Sequence, residues 1–581
     1  MKDFWKMTGA VILGIIILSF VSIFLMISSL GAIMAAGSAQ PQLPRSGVLV
    51  MDMSKLTVAE QAVESNPVES IYTGEETATV GLWEAVQAIN SAAGDPSVKF
   101  IYLKTDNSLT SIATLEELRH SLGKFRESGK PVVSYIEAPT TGTYYLASVA
   151  DKVYMTSHPG ATTMVNGVGS QMIFLGDLLD KLGVNVQLIR HGKYKSAGEM
   201  FTRNSASEEN LEQYQQMVSS MWASMAGEIA ASRGISEEAL NEAVDGLKLC
   251  IPADFVECGL VDELLSSEQL EEKLATFAME KDYKDVKGIP FADYVAARVL
   301  PSKSRNKIAV IYADGEIIDG SVKQQVAGDR FASIVRKVAD DSSVKSVVLR
   351  VNSPGGSVLA SEKIKDELDR LAAKKPLVAS YGDMAASGGY WISAACEKIF
   401  TDKVTLTGSI GVFGMIPDFS KTLKDVAHVN IQSVTSNKHG DMYALTRPFD
   451  QAEHDYMLRS IEDIYTRFTN LVSEARDMSV EQVDGIGQGR VWTGSDAIGI
   501  KLADEIGTLE DAIAYAAVAA GDSDLAKWNV KSYPKPASIM DQLLEGLTGT
   551  KDTEEIFAGQ IRDLSSIRME ARLPYEIRLS Y

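Results

Sequence analysis

The chain carries the same pattern twice, and this limits its architecture more than any other feature. DPSVKFIYLKTDN (95–107) answers DSSVKSVVLRVNS (341–353), and GKPVVSYIEAPTTGTYYLASVADKVY (129–154) answers KKPLVASYGDMAASGGYWISAACEKIF (374–400), both at an offset of about 246 residues. SGVLVMDM (46–53) also has a counterpart in NKIAVIYADGEI (306–317). Agreement over several successive elements marks an internal duplication. At 581 residues the chain is in any case too long for one hydrophobic core.

Within each copy, short β-branched runs such as VVLRV (347–351) and PLVAS (376–380) alternate with amphipathic stretches such as SEKIKDELDRLAAK (361–374). That alternation predicts helices packed on a largely parallel sheet, so each copy reads as an α/β domain. The expected boundaries are 46–280 and 306–524. The charged segment 281–305, broken by Pro290 and Pro301, is expected to be a linker. Beyond about Asp524 the repeat fades, leaving a tail to Tyr581 without a legible motif.

The amino end, 1–45, has a different character. Lys2 and Lys6 precede a run without charge from about Met7 to Ala36, long enough to cross a bilayer. It exceeds the apolar core of a cleavable leader, although AIMAAGSAQ imitates a cleavage site, and we read it as a retained transmembrane helix. The leading lysines put the amino terminus in the cytoplasm and both repeats outside, which in a Gram-negative-type cell is the periplasm.

Composition narrows the function. A formal charge of -21 disfavours nucleic acid as a partner. Cys250, Cys258 and Cys396 form no metal-ligand spacing, so neither a metal nor another cofactor is expected. Cys250 and Cys258 fit a bridge in an oxidising compartment, but also two buried free thiols.

Two motifs in the second repeat point to chemistry. VVLRVNSPGGSVLASEKI (347–364) sets Gly355 and Gly356 between a strand and a helix, where backbone N–H groups can face an oxyanion; the pair also fits a plain tight turn after Pro354. GDMAASGGYW (382–391) places Ser387 before Gly388 in surroundings small enough for a peptide backbone to approach. Such a Ser is equally at home starting a helix. A nucleophilic serine needs a base, yet His120, His158, His191, His428, His439 and His454 make no recognisable triad.

NSPGGS followed by AASGGYW and TLTGSIGVFG (405–414) resembles the Clp protease and crotonase superfamily and, within it, the long, two-repeat signal peptide peptidase A (protease IV) family. The resemblance implies an α/β tandem repeat of two Clp protease/crotonase-like domains after one N-terminal transmembrane helix. It implies that Ser387 is the nucleophile, that Gly356 and Gly388 supply oxyanion donors, with Gly355 a less certain third, and that Ser409 orients the base. KYKSA (193–197) resembles the family's lysine loop and carries the general base onto Lys195, with Lys193 as its competitor. A lysine serves as a base only when neutral, which requires desolvation or nearby positive charge.

The repeats complement each other. Thr141 stands in the place of Ser387, and LKTDNSLTS (103–111) lacks the Pro-Gly-Gly of its counterpart. The counterpart of Lys195 falls within KHGDM (438–442), where Lys438 is close but out of register. A complete dyad therefore needs Lys195 of the first repeat against Ser387 of the second, within one chain or between two. The implied function is a membrane-anchored serine endopeptidase acting on signal peptides and other extended apolar peptides, as a homo-oligomer, by resemblance a tetramer, at the cell inner membrane. The alternatives are a non-catalytic membrane scaffold with the protease fold and a crotonase-type acyl-CoA enzyme, the latter disfavoured by the expected location.

Overall fold

The computed structural model describes residues 41–62, 77–323 and 325–535, with 569–572, 579–580 and isolated positions between 8 and 21. The expected membrane span, 7–36, lies mostly outside the described residues. Among them, no helix is long and apolar enough to cross a membrane.

Each repeat is built on a largely parallel sheet. In the first, the strand Gly47–Asp52 lies between Gly288–Pro290 and Val98–Lys104, and the sheet continues through Val132–Ile136 and Lys152–Thr156 to Glu263–Leu265. In the second, Lys307–Asp314 lies between Asn529–Tyr533 and Val344–Ser353, followed by Leu377–Ala386. All five residues of Val132–Ile136 are buried, as a strand covered by helices on both faces requires.

Two boundaries differ from the sequence reading. The segment expected as a linker supplies Gly288–Pro290, which pairs in parallel with Val48–Val50, and then the helix Phe291–Arg298 with Phe291 and Tyr294 buried. The segment just after Asp524 supplies Asn529–Tyr533, paired in parallel with Lys307–Ile311. Each repeat thus ends by adding an edge strand beside its own first strand. VKGIP (286–290) and VKSYP (530–534) are the matching residues, too short for the repeat comparison to reach.

The repeats dock through one continuous apolar core. Leu103, Leu115 and Leu122 of the first belong to the same buried cluster as Val310, Val348, Val378 and Leu509 of the second. Buried charge is threaded through this seam. The Arg350 guanidinium donates Nε to Glu60 Oε2 at 2.7 Å and Nη2 to Glu60 Oε1 at 3.0 Å. It also meets Glu117 Oε1 at 2.7 Å, while Nη1 donates to Ser380 Oγ and the Tyr381 carbonyl. Both carboxylates come from the first repeat and the arginine from the second, so separating the repeats would strand three buried charges.

Candidate active site

A strained turn presents Ser387. The strand Leu377–Ala386 runs into Ser387, whose φ of 54° and ψ of -112° are unusual for a residue with a side chain, and the helix Gly388–Ser393 starts at once. The Ser387 N–H donates to the Gly408 carbonyl at 2.8 Å, pinning the bend. Gly389 is needed for close packing: a Cβ there would stand 2.8 Å from the Ser353 carbonyl oxygen. In the first repeat the same junction is relaxed. Thr140 caps the helix Thr141–Ala147 at φ -98°, and Thr141 Oγ1 donates to the Gly167 carbonyl at 2.9 Å.

Lys195 arrives by strand exchange. Asn185–His191 leaves the first repeat and pairs antiparallel with Val412–Asp418 of the second, from Asn185 opposite Asp418 to His191 opposite Val412. In antiparallel pairing, the residues beyond His191 run back along those preceding Val412. Lys195, four positions on, therefore meets Ser409, three positions back. Lys195 Nζ lies 2.8 Å from Ser387 Oγ, 2.9 Å from Ser409 Oγ and 3.1 Å from the Ser409 carbonyl. All three residues have 0% exposure, and all three belong to one chain. Ser409 takes a left-handed φ of 49°, which aims its side chain and carbonyl at the same amine.

The competing residues lie elsewhere. Lys193 is exposed, with Nζ over the Tyr194 ring. Lys438 is exposed beside Asp450. His191 stacks on Tyr465, and His439 bonds Glu453. Cys250 is exposed, Cys258 half-buried and Cys396 buried, all as free thiols, so the first pair is neither bridged nor fully buried. Of the glycines, Gly355 donates its N–H to Ser353 Oγ at 3.2 Å, which occupies that donor. Gly355 and Gly356 have φ of 98° and 148°, and a Cβ on Gly356 would overlap the Ile317 carbonyl, so only glycine fits there. The strand Gly355–Ser357 packs against the helix that begins at Gly388.

A family model described as Peptidase family S49 matches residues 124–280 and 369–522, one segment in each repeat. Protease 4 of Haemophilus influenzae is 33% identical over 535 residues, covering 88% of this chain and 85% of that protein. Protease 4 of Salmonella typhi is 36% identical over 481 residues, 81% and 76% of the two chains. The chloroplastic serine protease SPPA of Arabidopsis thaliana is 29% identical over 472 residues, 78% and 68% of the two. The chain belongs to peptidase family S49.

In this S49 chain, a buried polar network holds the lysine loop. Gln213 Nε2 donates to the Tyr194 carbonyl at 3.1 Å and to Ser196 Oγ at 3.0 Å, and Ser196 Oγ donates to Asn210 Oδ1 at 2.8 Å. Arg190 Nη1 donates to the Lys195 carbonyl at 2.8 Å and reaches buried Glu199. Across the loop, Tyr194 N–H donates to the Gln488 carbonyl, and Gly489 and Gly411 press on Lys195 itself. A Cβ on Gly489 would lie 2.5 Å from Lys195 Cβ, and one on Gly411 would lie 3.2 Å from Lys195 Cδ. The sequence reading missed this cradle; GSIG and GQGR held the only signal, as glycines without an evident turn to serve.

Among the described residues, one group has the composition of a metal site: His439, Asp450 and Glu453. Arg447 already bonds Glu453 through two nitrogens, at 2.7 Å each, and this guanidinium supplies the positive charge a metal would bring.

Proposed function

We propose that this chain is a serine endopeptidase in which Ser387 forms the acyl-enzyme and Lys195 moves the proton. The observation that carries the reading is the set of contacts around Lys195 Nζ. A neutral amine has two N–H groups and one lone pair. The two oxygens of Ser409 accept the N–H groups, and the lone pair is left facing Ser387 Oγ at 2.8 Å. Complete burial of Lys195 favours a neutral amine, as a base requires.

The steps follow from that arrangement. Ser387 Oγ gives its proton to Nζ while attacking the peptide carbonyl. The N–H groups of Gly356 and Gly388 receive the oxyanion. Lys195 returns the proton to the leaving amine, then takes one from a water that attacks the acyl-enzyme. Ser409 keeps the amine aimed through both transfers.

For substrates we propose signal peptides and other extended apolar peptides, with the 7–36 segment as a membrane anchor that holds both repeats beside them on the periplasmic face of the inner membrane. The supports are the uncharged length of that segment and a site whose neighbouring main chain is strand-like. We also propose assembly with further copies of this chain, as a ring. GVNVQLI (183–189), which enters the exchanged strand, has its counterpart in HVNIQSV (428–434), and Gly183 and His428 share positive φ. The second copy of this segment is exposed, with Ile431 at 53% and Val434 at 93%, so a neighbouring chain pairing there would cover it as the first copy is covered.

The test is cleavage of a signal-peptide-like fluorogenic substrate by the full chain. Ser387→Ala and Lys195→Ala should each lower kcat by about a thousandfold or more. Unchanged cleavage in either variant removes that residue from the mechanism.

A further inference from the structure

Beside the dyad, the chain folds its own tail into a sheet. Met569–Arg572 lies between Gly355–Ser357 and Val412–Asp418 and is antiparallel to both. Gly355 faces Arg572, Gly356 faces Ala571 and Ser357 faces Glu570 on one side; Phe413 faces Glu570 and Gly414 faces Met569 on the other. The first flank contains the glycine assigned above to the oxyanion. The second flank follows directly on Ser409, which holds the lysine. The flanking strands therefore present facing edges one strand apart, at the catalytic groups.

An extended peptide entering by strand addition would make these same main-chain pairs, which depend little on side chains. Two strands cannot occupy one slot. We infer that Met569–Arg572 is an internal competitor for the substrate strand, so that the peptidase must release its own tail before a peptide binds. This rests on the function proposed above for the identity of the substrate, but the occupied slot is defined by backbone pairing alone. Apparent affinity for substrate then scales with the fraction of molecules whose tail is out.

The experiment separates this claim from catalysis by working in the full-length Ser387→Ala background. Glu570→Pro with Ala571→Pro removes two consecutive N–H donors from the tail strand and disfavours its pairing on both sides. Binding of a fluorescent signal-peptide-like decapeptide should tighten by about tenfold when the two prolines are added. Unchanged or weaker binding overturns the proposal. A second measurement needs no tail substitution: saturating decapeptide should speed hydrogen exchange of the 569–572 amides in the Ser387→Ala protein. Exchange that peptide leaves unaltered, with the peptide bound, overturns it equally. The peptidase reading fails by a different result, wild-type cleavage by Ser387→Ala.

Discussion

Lys195 Nζ and Ser387 Oγ are 2.8 Å apart across 192 positions of sequence, and a single exchanged strand accounts for the meeting. Without the pairing of Asn185–His191 on Val412–Asp418, Lys195 would remain with a repeat in which Thr141 stands where the other has Ser387. Each repeat thus supplies one member of the contacting pair.

Ser409 holds the amine with two oxygens, and removal of one should be felt in turnover. Ser409→Ala leaves the carbonyl contact and deletes the 2.9 Å contact to Oγ. Loss of a hydrogen bond of this kind costs about 1.5–3 kcal/mol, so kcat should fall about ten- to hundredfold. KM should change little, because the hydroxyl faces the lysine. Steady-state kinetics on one peptide substrate checks both parameters.

Gly489 tests the cradle from the other side. Its φ is 83°, and an added Cβ would stand 2.6 Å from Lys195 Cα. Gly489→Ala should therefore push the lysine off the serine and lower kcat by about a hundredfold. The circular dichroism spectrum should stay native, since the strain is confined to one loop contact. Wild-type activity in this variant would mean that the close fit around Lys195 has no catalytic value.

The Arg350 seam should behave as a structural device. Arg350→Met leaves Glu60 and Glu117 buried without their cation, and breaking such a pair costs about 3–5 kcal/mol. The melting temperature should drop accordingly, while any protein that remains folded keeps its affinity for peptide. Calorimetry with a binding titration below the transition separates the two effects.

Buried carboxylates in the same seam set a pH dependence. Burial, reinforced by neighbouring Glu228, pushes the Glu116 carboxyl up to about 7, although it accepts the Lys403 and Val404 N–H groups. Glu60, Glu117, Asp402, Lys403, Arg350 and Arg119, which pairs with Glu228, are among the other charges of this region. Because the folded value lies above the unfolded one, the folded state holds the proton more tightly. Its stabilising contribution is complete below the ordinary glutamate range and is lost as pH rises from there to about 7. Glu116→Gln should flatten the fall in melting temperature between pH 5 and pH 7, whatever its effect on absolute stability. A slope identical to wild type would show that Glu116 does not titrate in that window.

Much of this was legible in the sequence, for identifiable reasons. The repeat showed two α/β domains because burial of a sheet on both faces imposes β-branched runs that survive divergence. Ser387, Lys195 and Ser409 were reached only through the resemblance of the short motifs around them to a known family; taken alone, each residue also fitted a plainer role. The edge strands Gly288–Pro290 and Asn529–Tyr533 did not, since three to five residues paired only along one edge leave no periodicity. Arg350, Glu60 and Glu117 look like ordinary surface charges until the repeats are docked, when each is buried. The tail strand was illegible because main-chain pairing places few demands on composition.

The central claim is that Lys195 activates Ser387, and acylation tests it without the later steps. The full chain is mixed with a peptide ester, quenched on a millisecond-to-minute series and examined by peptide-mapping mass spectrometry. The account predicts an acyl group on Ser387 in the wild type, none in Ser387→Ala, and formation slowed by about a thousandfold or more in Lys195→Ala. Acylation of Lys195→Ala at the wild-type rate, or an adduct on any other residue, would contradict it.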